Sequence, residues 1–207
     1  STPSNRISLM SEWEQKLEAI IQESIRENVT SLAGVPSWML VLLNKVLETT
    51  GKEHLFEIWD QLEVYFHGGV NFNPYREQYR RLLPRDNFQY YEIYNASEGF
   101  FAIQDQNYSQ DLLLMLDYGI FYEFIPMNTY GTPEQKVIPL WEVETGVNYA
   151  LIITTNAGLW RYQIGDTVRF TSTDPYRIRV TGRTKHHINV FGEELIIENT
   201  EEALNRC

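Results

Sequence analysis

The spacing of apolar residues changes along this chain, and that change limits what the chain can fold into. Near the start, Leu17, Ile21 and Ile25 recur at helical spacing with charged residues between them, which is typical of an amphipathic helix. From about Ile120 onward, short runs of β-branched and aromatic residues alternate with turn signals, which favours strands. The sequence therefore predicts a mixed α/β (α+β) fold. We expect a parallel-sheet α/β part, then a β-rich, barrel-like part.

Two long helices are predicted in the first part. Residues 6–29 read as one helix with a buried stripe that includes Leu9 and Trp13. A second helix follows, with Ser37 as its N-cap and Gly51 as its stop, because serine favours helix starts and glycine favours helix ends.

Buried strands are predicted at residues 62–70 and 89–94, with a helix at 73–84 between them. Strand, helix and strand in this order indicate parallel units, in which ligands gather at the carboxyl ends of the strands. We place boundaries that give an α/β part at 1–119, a β-rich subdomain at 120–181, and a hinge with the start of a truncated C-terminal domain at 182–207.

Composition excludes several classes of function. Acidic residues outnumber basic ones by 28 to 17, for a net charge of -11, and no basic cluster suggests nucleic-acid binding. No apolar run reaches the roughly 20 residues that span a bilayer. The single cysteine, Cys207, is the last residue, which favours a reducing, cytoplasmic location. Both ends read as cuts within a longer protein, and nothing in the sequence indicates an oligomeric state.

The segment Tyr-Asn-Ala-Ser-Glu-Gly at residues 94–99 combines oxygen-bearing side chains with a glycine. The Ser97 hydroxyl and the Glu98 carboxylate suit a phosphate and its magnesium ion, because that metal prefers hard oxygen ligands. The alternative is an ordinary turn at the end of a strand. Asp166, directly after a glycine, could accept hydrogen bonds from a ribose diol, or it could stabilise a β-turn.

Other candidates are weaker. Arg183, in Thr-Gly-Arg, could bind phosphate or ribose in a fork, or it could be a solvated surface arginine. His186 and His187 are adjacent and would point to opposite faces of a strand, so no zinc site is expected. Gly68 and Gly69 lack the length and the lysine of a P-loop.

The order of these segments resembles the adenylate-forming superfamily of acyl-CoA synthetases and luciferase. An aromatic, Ser and Glu segment is followed by Tyr-Gln-Ile-Gly-Asp at 162–166 and then by Thr-Gly-Arg at 181–183. The finer resemblance is to the acyl acid amido synthetases, the auxin-responsive Gretchen Hagen family, and particularly to its bacterial members. It covers nearly the whole chain from Leu32 to the end, in six ordered blocks.

The resemblance implies roles at a nucleotide site. Tyr94 would pack on the adenine, Ser97 would donate to the adenylate phosphate, and Glu98 would hold magnesium. Asp166 would bind the ribose hydroxyls, with Tyr162 shaping that turn. The implied cofactors are ATP and magnesium, and the implied reaction is activation of a carboxylic acid followed by capture with an amino acid.

Further roles follow from the same resemblance. Arg183 would approach ribose or phosphate near the hinge. Gly68, Gly69 and Phe124 would belong to the acyl-substrate pocket, where the glycines would let the acid approach the backbone closely.

Two alternatives remain open. An acyl-CoA ligase would consume CoA instead of an amine, although Asn189 stands where that branch carries a lysine. The chain could also be a nucleotide-binding or interaction module that has lost catalysis. This sequence has no Gly/Ser/Thr-rich phosphate loop, so we expect the 207-residue chain to be inactive by itself.

Overall fold

The computed structural model describes residues 2–107 and 109–184, together with the backbone of two short strands at Ile188–Val190 and Glu193–Leu195. The chain divides into two compact units, Ser1–Glu92 and Ile93–Cys207. Apart from those two strands, the predicted start of a C-terminal domain lies outside the described residues beyond Thr184. The predicted mixed α/β class is confirmed.

The first unit combines helices with a parallel sheet. Its helices are α1 Asn5–Ser8, α2 Trp13–Ser24, α3 Pro36–Thr50 and α4 Arg76–Leu82, with 3₁₀ turns at Leu55–Glu57 and Asn73–Tyr75. Its strands are β1 Ser31–Gly34, β2 Val64–His67 and the first half of β3 Gln89–Ala96. Strand β2 pairs in parallel with both β1 and β3, so the predicted parallel pairing is confirmed.

Three details of the first unit differ from the prediction. The helix predicted over residues 6–29 is interrupted between α1 and α2, and Leu9 and Trp13 are 85% and 47% exposed. Leu9 caps α1, where the chain leaves the helix and helical periodicity no longer sets the direction of a side chain. Ser37 does not cap α3, because Pro36 occupies its first turn, a position that proline favours. Strand β1 was not predicted, since only one of its four residues is buried.

Other features of the first unit agree with the sequence. Ile21 is fully buried, and Gly51 ends α3 in the left-handed conformation, with φ +66, as C-terminal glycines do. A group of stacked rings lies beside the aliphatic core, and we call it the aromatic cluster. Its members are Tyr65, His67, Phe72, Tyr79 and Tyr90.

The second unit is an antiparallel sheet. Residues from Ile93 onward in β3 pair with β4, and the order continues β4–β5–β10–β9–β8–β6–β7. These strands are β4 Gly99–Gln104, β5 Leu112–Leu114, β6 Ile120–Pro126, β7 Ile138–Pro139, β8 Asn148–Thr155, β9 Tyr162–Thr173 and β10 Tyr176–Arg183, with a 3₁₀ turn at Leu140–Glu142. Phe101, Phe124 and Phe170 are fully buried in its core.

Strand β9 replaces two strands that the sequence predicts. Residues 159–164 and 166–172 were expected to be separate strands joined by a turn at Asp166, but residues 162–173 form one strand with a bulge. Thr167 pairs with Ala150 and Gln163 with Ile152, so three residues of β9 lie opposite the single intervening residue of β8.

None of the described helices is long and apolar enough to cross a membrane.

Candidate active site

The segment at residues 94–99 forms the tip of a β-hairpin. Ala96 pairs with Gly99 across β3 and β4, which leaves Ser97 and Glu98 as a two-residue loop. A Cβ atom on Gly99 would lie 3.0 Å from Ile120 Cδ1, tighter than most real Cβ contacts, so glycine favours this packing. Ser97 is exposed and Glu98 is half-buried. Neither side chain has a hydrogen-bond partner within residues 2–107 and 109–184.

Asp166 is held by two of the other predicted site residues. The Tyr94 hydroxyl donates a hydrogen bond to Asp166 Oδ2 at 2.8 Å, and Arg183 Nε donates to Asp166 Oδ1 at 2.8 Å. Tyr94 and Asp166 are 72 positions apart in the sequence, and Arg183 is the cross-strand partner of Asp166. The Asp166 side chain is 14% exposed and that of Arg183 is 61% exposed. The fold therefore brings three predicted residues together.

Burial keeps the Tyr94 hydroxyl protonated, so it remains a hydrogen-bond donor. Its side chain is 7% exposed, and its ring centroid lies 5.0 Å from that of Phe101. Burial, and next the charge of Asp166, raise the pKa of Tyr94 well above its ordinary value, so its hydroxyl keeps its proton at neutral pH. The ring packs in the core of the second unit. Its predicted packing on an adenine stays a prediction.

The bulge in β9 determines where the Asp166 carboxylate points. Gly165 has φ +88, a conformation that side chains disfavour. Bulges redirect side chains and are common beside active sites. The chain forms a bulge here and not the predicted turn. The glycine directly before the aspartate, which suggested the turn, lies in this bulge.

The remaining predicted residues form no hydrogen bond with Asp166 within residues 2–107 and 109–184. Tyr162 is 41% exposed and begins β9. Phe124 is fully buried, with its ring centroid 5.1 Å from that of Phe170, so its surroundings are those of a core residue. In the first unit, Gly68 is buried and Gly69 is exposed with φ +83. Their assignment to an acyl pocket stays a prediction.

The hairpin tip carries oxygen ligands of the kind that a nucleotide-bound magnesium ion takes. Among the described residues, no group of three or more His, Cys, Asp or Glu side chains could hold a metal. Magnesium at nucleotide sites usually takes one or two carboxylates, with substrate phosphates and water as its other ligands. Glu98 provides one carboxylate without a competing ion pair among the described residues, beside the Ser97 hydroxyl, so the tip fits that mode of binding.

Sequence reasoning missed one group of buried polar residues and one buried histidine. A buried hydrogen-bonded chain joins Asn148, Thr167 and Thr181 on β8, β9 and β10, and no motif marks it. His67, directly before Gly68, is 3% exposed, and burial lowers its pKa to about 4. Its position at the end of β2 was the only available signal.

Comparison with known families finds two matches along the chain. Residues 1–88 match the GH3 family N-terminal domain, and residues 113–183 match the GH3 family central domain. The chain carries GH3 family domains.

Curated relatives carry names from this family. Indole-3-acetic acid-amido synthetase GH3.4 from Arabidopsis thaliana is 28% identical over 166 residues, which cover 73% of this chain and 27% of the relative. Indole-3-acetic acid-amido synthetase GH3.3 from the same plant is 27% identical over 164 residues, with the same coverage. The chain thus spans about a quarter of the length of these relatives.

Solved structures share the fold. A GH3.15 acyl acid amido synthetase superposes with a TM-score of 0.71 at 16% identity, covering 97% of this chain and 46% of that one. An open form of 2-hydroxyisobutyryl-CoA ligase, in complex with 2-HIB-AMP and CoA, gives a TM-score of 0.66 at 14% identity, covering 95% and 46%. At these identities the two neighbours establish the fold of the GH3 domains.

Proposed function

We propose that this chain is part of an ATP-dependent acyl acid amido synthetase, from a bacterial member of the family, that adenylates a carboxylic acid and joins it to an amino acid. The supporting observation is the Asp166 carboxylate, fixed by Tyr94 and Arg183 on the sheet that also carries the Ser97–Glu98 hairpin tip. The names of the GH3 relatives agree with this activity.

The Asp166 carboxylate retains capacity for a ribose diol. Each of its oxygens accepts one hydrogen bond within the protein, and each has a second lone pair. Two fixed donors hold the carboxylate in one orientation before any ligand binds. Such preorganisation reduces the ordering cost of binding.

Arg183 and the hairpin tip would serve the phosphates. Arg183 uses only Nε on Asp166, which leaves its two terminal nitrogens to donate to a phosphate or to ribose. The Ser97 hydroxyl would donate to the α-phosphate. Glu98 would hold magnesium, which supplies positive charge against the phosphates when it is bound.

The proposed chemistry proceeds in two steps. An oxygen of the acid attacks the α-phosphorus of ATP, the bond to the β-phosphate bridge breaks, and pyrophosphate leaves with the electron pair. The amine nitrogen then attacks the acyl carbon, AMP leaves, and the amine loses a proton to solvent or base. The residues described here position the nucleotide. We place this reaction in the cytoplasm, with small molecules as substrates and without a nucleic-acid or membrane partner.

The test is pyrophosphate release by the full-length parent protein with ATP, magnesium and a panel of aryl and indole carboxylic acids, with and without amino acids. We expect Asp166→Ala and Glu98→Ala to lower acid-dependent release by about 10²–10³-fold, as loss of one preorganised electrostatic group does. Asp105→Ala removes a carboxylate that pairs with Arg177 away from the hairpin tip, and it should leave release unchanged.

The same assay separates the alternatives. Acid-dependent consumption of CoA without amide formation would favour the acyl-CoA ligase. ATP binding without release for any acid would favour a degenerate nucleotide-binding module. We expect the 207-residue chain alone to release no pyrophosphate, because it spans about a quarter of its relatives.

A further inference from the structure

A row of polar side chains crosses strands β8, β9 and β10, and the proposed function does not use it. Asn148 pairs with Arg169, and Arg169 pairs with Arg179. Cross-strand partners project from the same face of a sheet. One face of the second unit therefore presents an amide and two guanidinium groups side by side.

The hydrogen bonds around Asn148 leave its amino group without an acceptor. Thr181 donates to Asn148 Oδ1 at 2.6 Å, and the Thr167 and Thr181 hydroxyls lie 2.9 Å apart. Because the Thr181 proton is used on Asn148, Thr167 donates to Thr181. All three side chains are at most 5% exposed. Asn148 Nδ2 is buried without a hydrogen-bond partner in the described part of the chain.

Arg169 also has a buried donor without an acceptor. Its Nε atom is buried without a hydrogen-bond partner among the described residues. Arg179, directly opposite, donates to Asp111 at 2.6 Å. Arg169 forms no ion pair with a carboxylate of residues 2–107 or 109–184. Two buried donors on directly paired residues therefore lack an acceptor, and buried polar groups in proteins are normally satisfied.

We propose that Asn148 and Arg169 form a binding site for a carboxylate group. A carboxylate has two oxygens that only accept hydrogen bonds, and its charge suits a guanidinium. A cation would be repelled by Arg169, and a water molecule would leave the guanidinium charge without a counter-charge. The carboxylate comes either from a small molecule or from an Asp, Glu or chain terminus of the protein outside the described residues.

The experiment follows the Asn148 Nδ2 and Arg169 Nε signals of the isotope-labelled 207-residue chain by NMR. Sodium acetate is titrated in and compared with sodium chloride at equal ionic strength. For a site that takes a free carboxylate, acetate shifts both signals together and saturably. The Arg161 Nε signal is the internal control, because Arg161 is exposed and already pairs with Glu123.

A carboxylate that comes from the chain itself gives a different NMR result. When a carboxylate of the chain itself occupies the site, acetate has no effect and Arg169 Nε shows a through-hydrogen-bond coupling to an Asp, Glu or terminal carboxyl carbon. The proposal is overturned when neither acetate response nor such a coupling is present, and cross-peaks to water show that water fills the position.

Asn148→Asp is the matched variant, because it has nearly the same shape and places a carboxylate beside Arg169 while still accepting from Thr181. We expect it to abolish the acetate response and to melt at least as high as the unchanged chain. Arg169→Gln should abolish the response without supplying a charge. When acetate shifts the signals of the unchanged chain, an acetate response that persists in Asn148→Asp, or a lower melting temperature for that variant than for Arg169→Gln, would overturn the proposal.

Discussion

The two units of this chain accommodate polar side chains in different ways. In the first unit, uncharged polar groups are buried within the aromatic cluster: the Tyr79 hydroxyl donates to the Pro36 carbonyl at 2.9 Å, and His67 stacks on Phe72 with ring centroids 4.1 Å apart. In the second unit, charged side chains pair between strands. These pairs are Arg177–Asp105, Arg179–Asp111, Arg183–Asp166 and Arg161–Glu123.

The difference shows what distinguishes the candidate site from its surroundings. Arg177, Arg179 and Arg183 all lie on β10 and all pair with an aspartate, so an Arg–Asp pair does not by itself mark a binding site. Asp166 differs because its side chain is 14% exposed, against 30% for Asp105 and 23% for Asp111. It also accepts from a buried tyrosine. The lower exposure of its carboxylate and the bond from Tyr94 distinguish Asp166 from the other two aspartates.

The largest expected effect is in the aromatic cluster. Tyr79 is fully buried and stacks on Tyr65 with centroids 4.9 Å apart. Tyr79→Ala should lower the free energy of unfolding by about 3–5 kcal/mol, as other large buried aromatic truncations do. Denaturant unfolding followed by the fluorescence of Trp59, which is 2% exposed, would measure it in a chain whose other four tryptophans are replaced by phenylalanine. Tyr79→Phe is the control, and an equal cost for both variants would show that the hydroxyl, and not ring packing, holds this unit.

The next effect is a pH dependence confined to the first unit. His67 takes up a proton near pH 6.5 when unfolded, but burial lowers its folded pKa to about 4. The unfolded state therefore binds more protons between these values, and stability should fall by about 3 kcal/mol as the pH falls from 6.5 to 4. His67→Phe should remove this dependence and His54→Gln should keep it, both followed through Trp59. A flat profile for the unchanged chain would contradict the effect of burial on His67.

A smaller effect is expected at the candidate site. Tyr94→Phe removes the donor to Asp166 and should destabilise β9 by about 1.5–3 kcal/mol, the usual range for hydrogen bonds to charged groups. Hydrogen exchange of the β9 amides would report the loss. Tyr122→Phe is matched, because its hydroxyl donates to the neutral Met115 carbonyl at 3.0 Å, and it should cost about 0.5–1.5 kcal/mol. Equal losses would mean that the charge of Asp166 adds nothing.

The smallest effect concerns the ion pair between Arg177 and Asp105. Arg177 holds the pKa of the Asp105 carboxyl below its ordinary value, so this pair stabilises the second unit above the ordinary Asp range and the benefit is lost as the pH falls below it. The Arg177 and Asp105 side chains are 11% and 30% exposed, so water still screens the pair, and Asp105→Asn should cost about 0.2–1 kcal/mol. Exchange of the β10 amides at low and high salt would measure it. A larger, salt-independent loss would show that the pair behaves as a buried one.

Sequence alone determined the local elements with strong signals. The helix stop at Gly51, the strands β6 and β8 and the parallel order of β2 and β3 were predictable, because periodicity and turn residues act over a few neighbouring positions. Motif order pointed to Ser97, Glu98, Asp166 and Arg183. The predicted burial of Leu9 and Trp13 was wrong, because the helix is interrupted there. The predicted N-cap at Ser37 was wrong, because Pro36 occupies the first turn of α3.

Only the tertiary structure decided how the site is assembled. The bond from Tyr94 to Asp166 joins residues 72 positions apart, and it depends on strand order and on a bulge that inserts residues opposite Leu151. The unsatisfied donors of Asn148 and Arg169 likewise arise from cross-strand register. Register and burial depend on contacts between distant segments, which local sequence patterns do not encode.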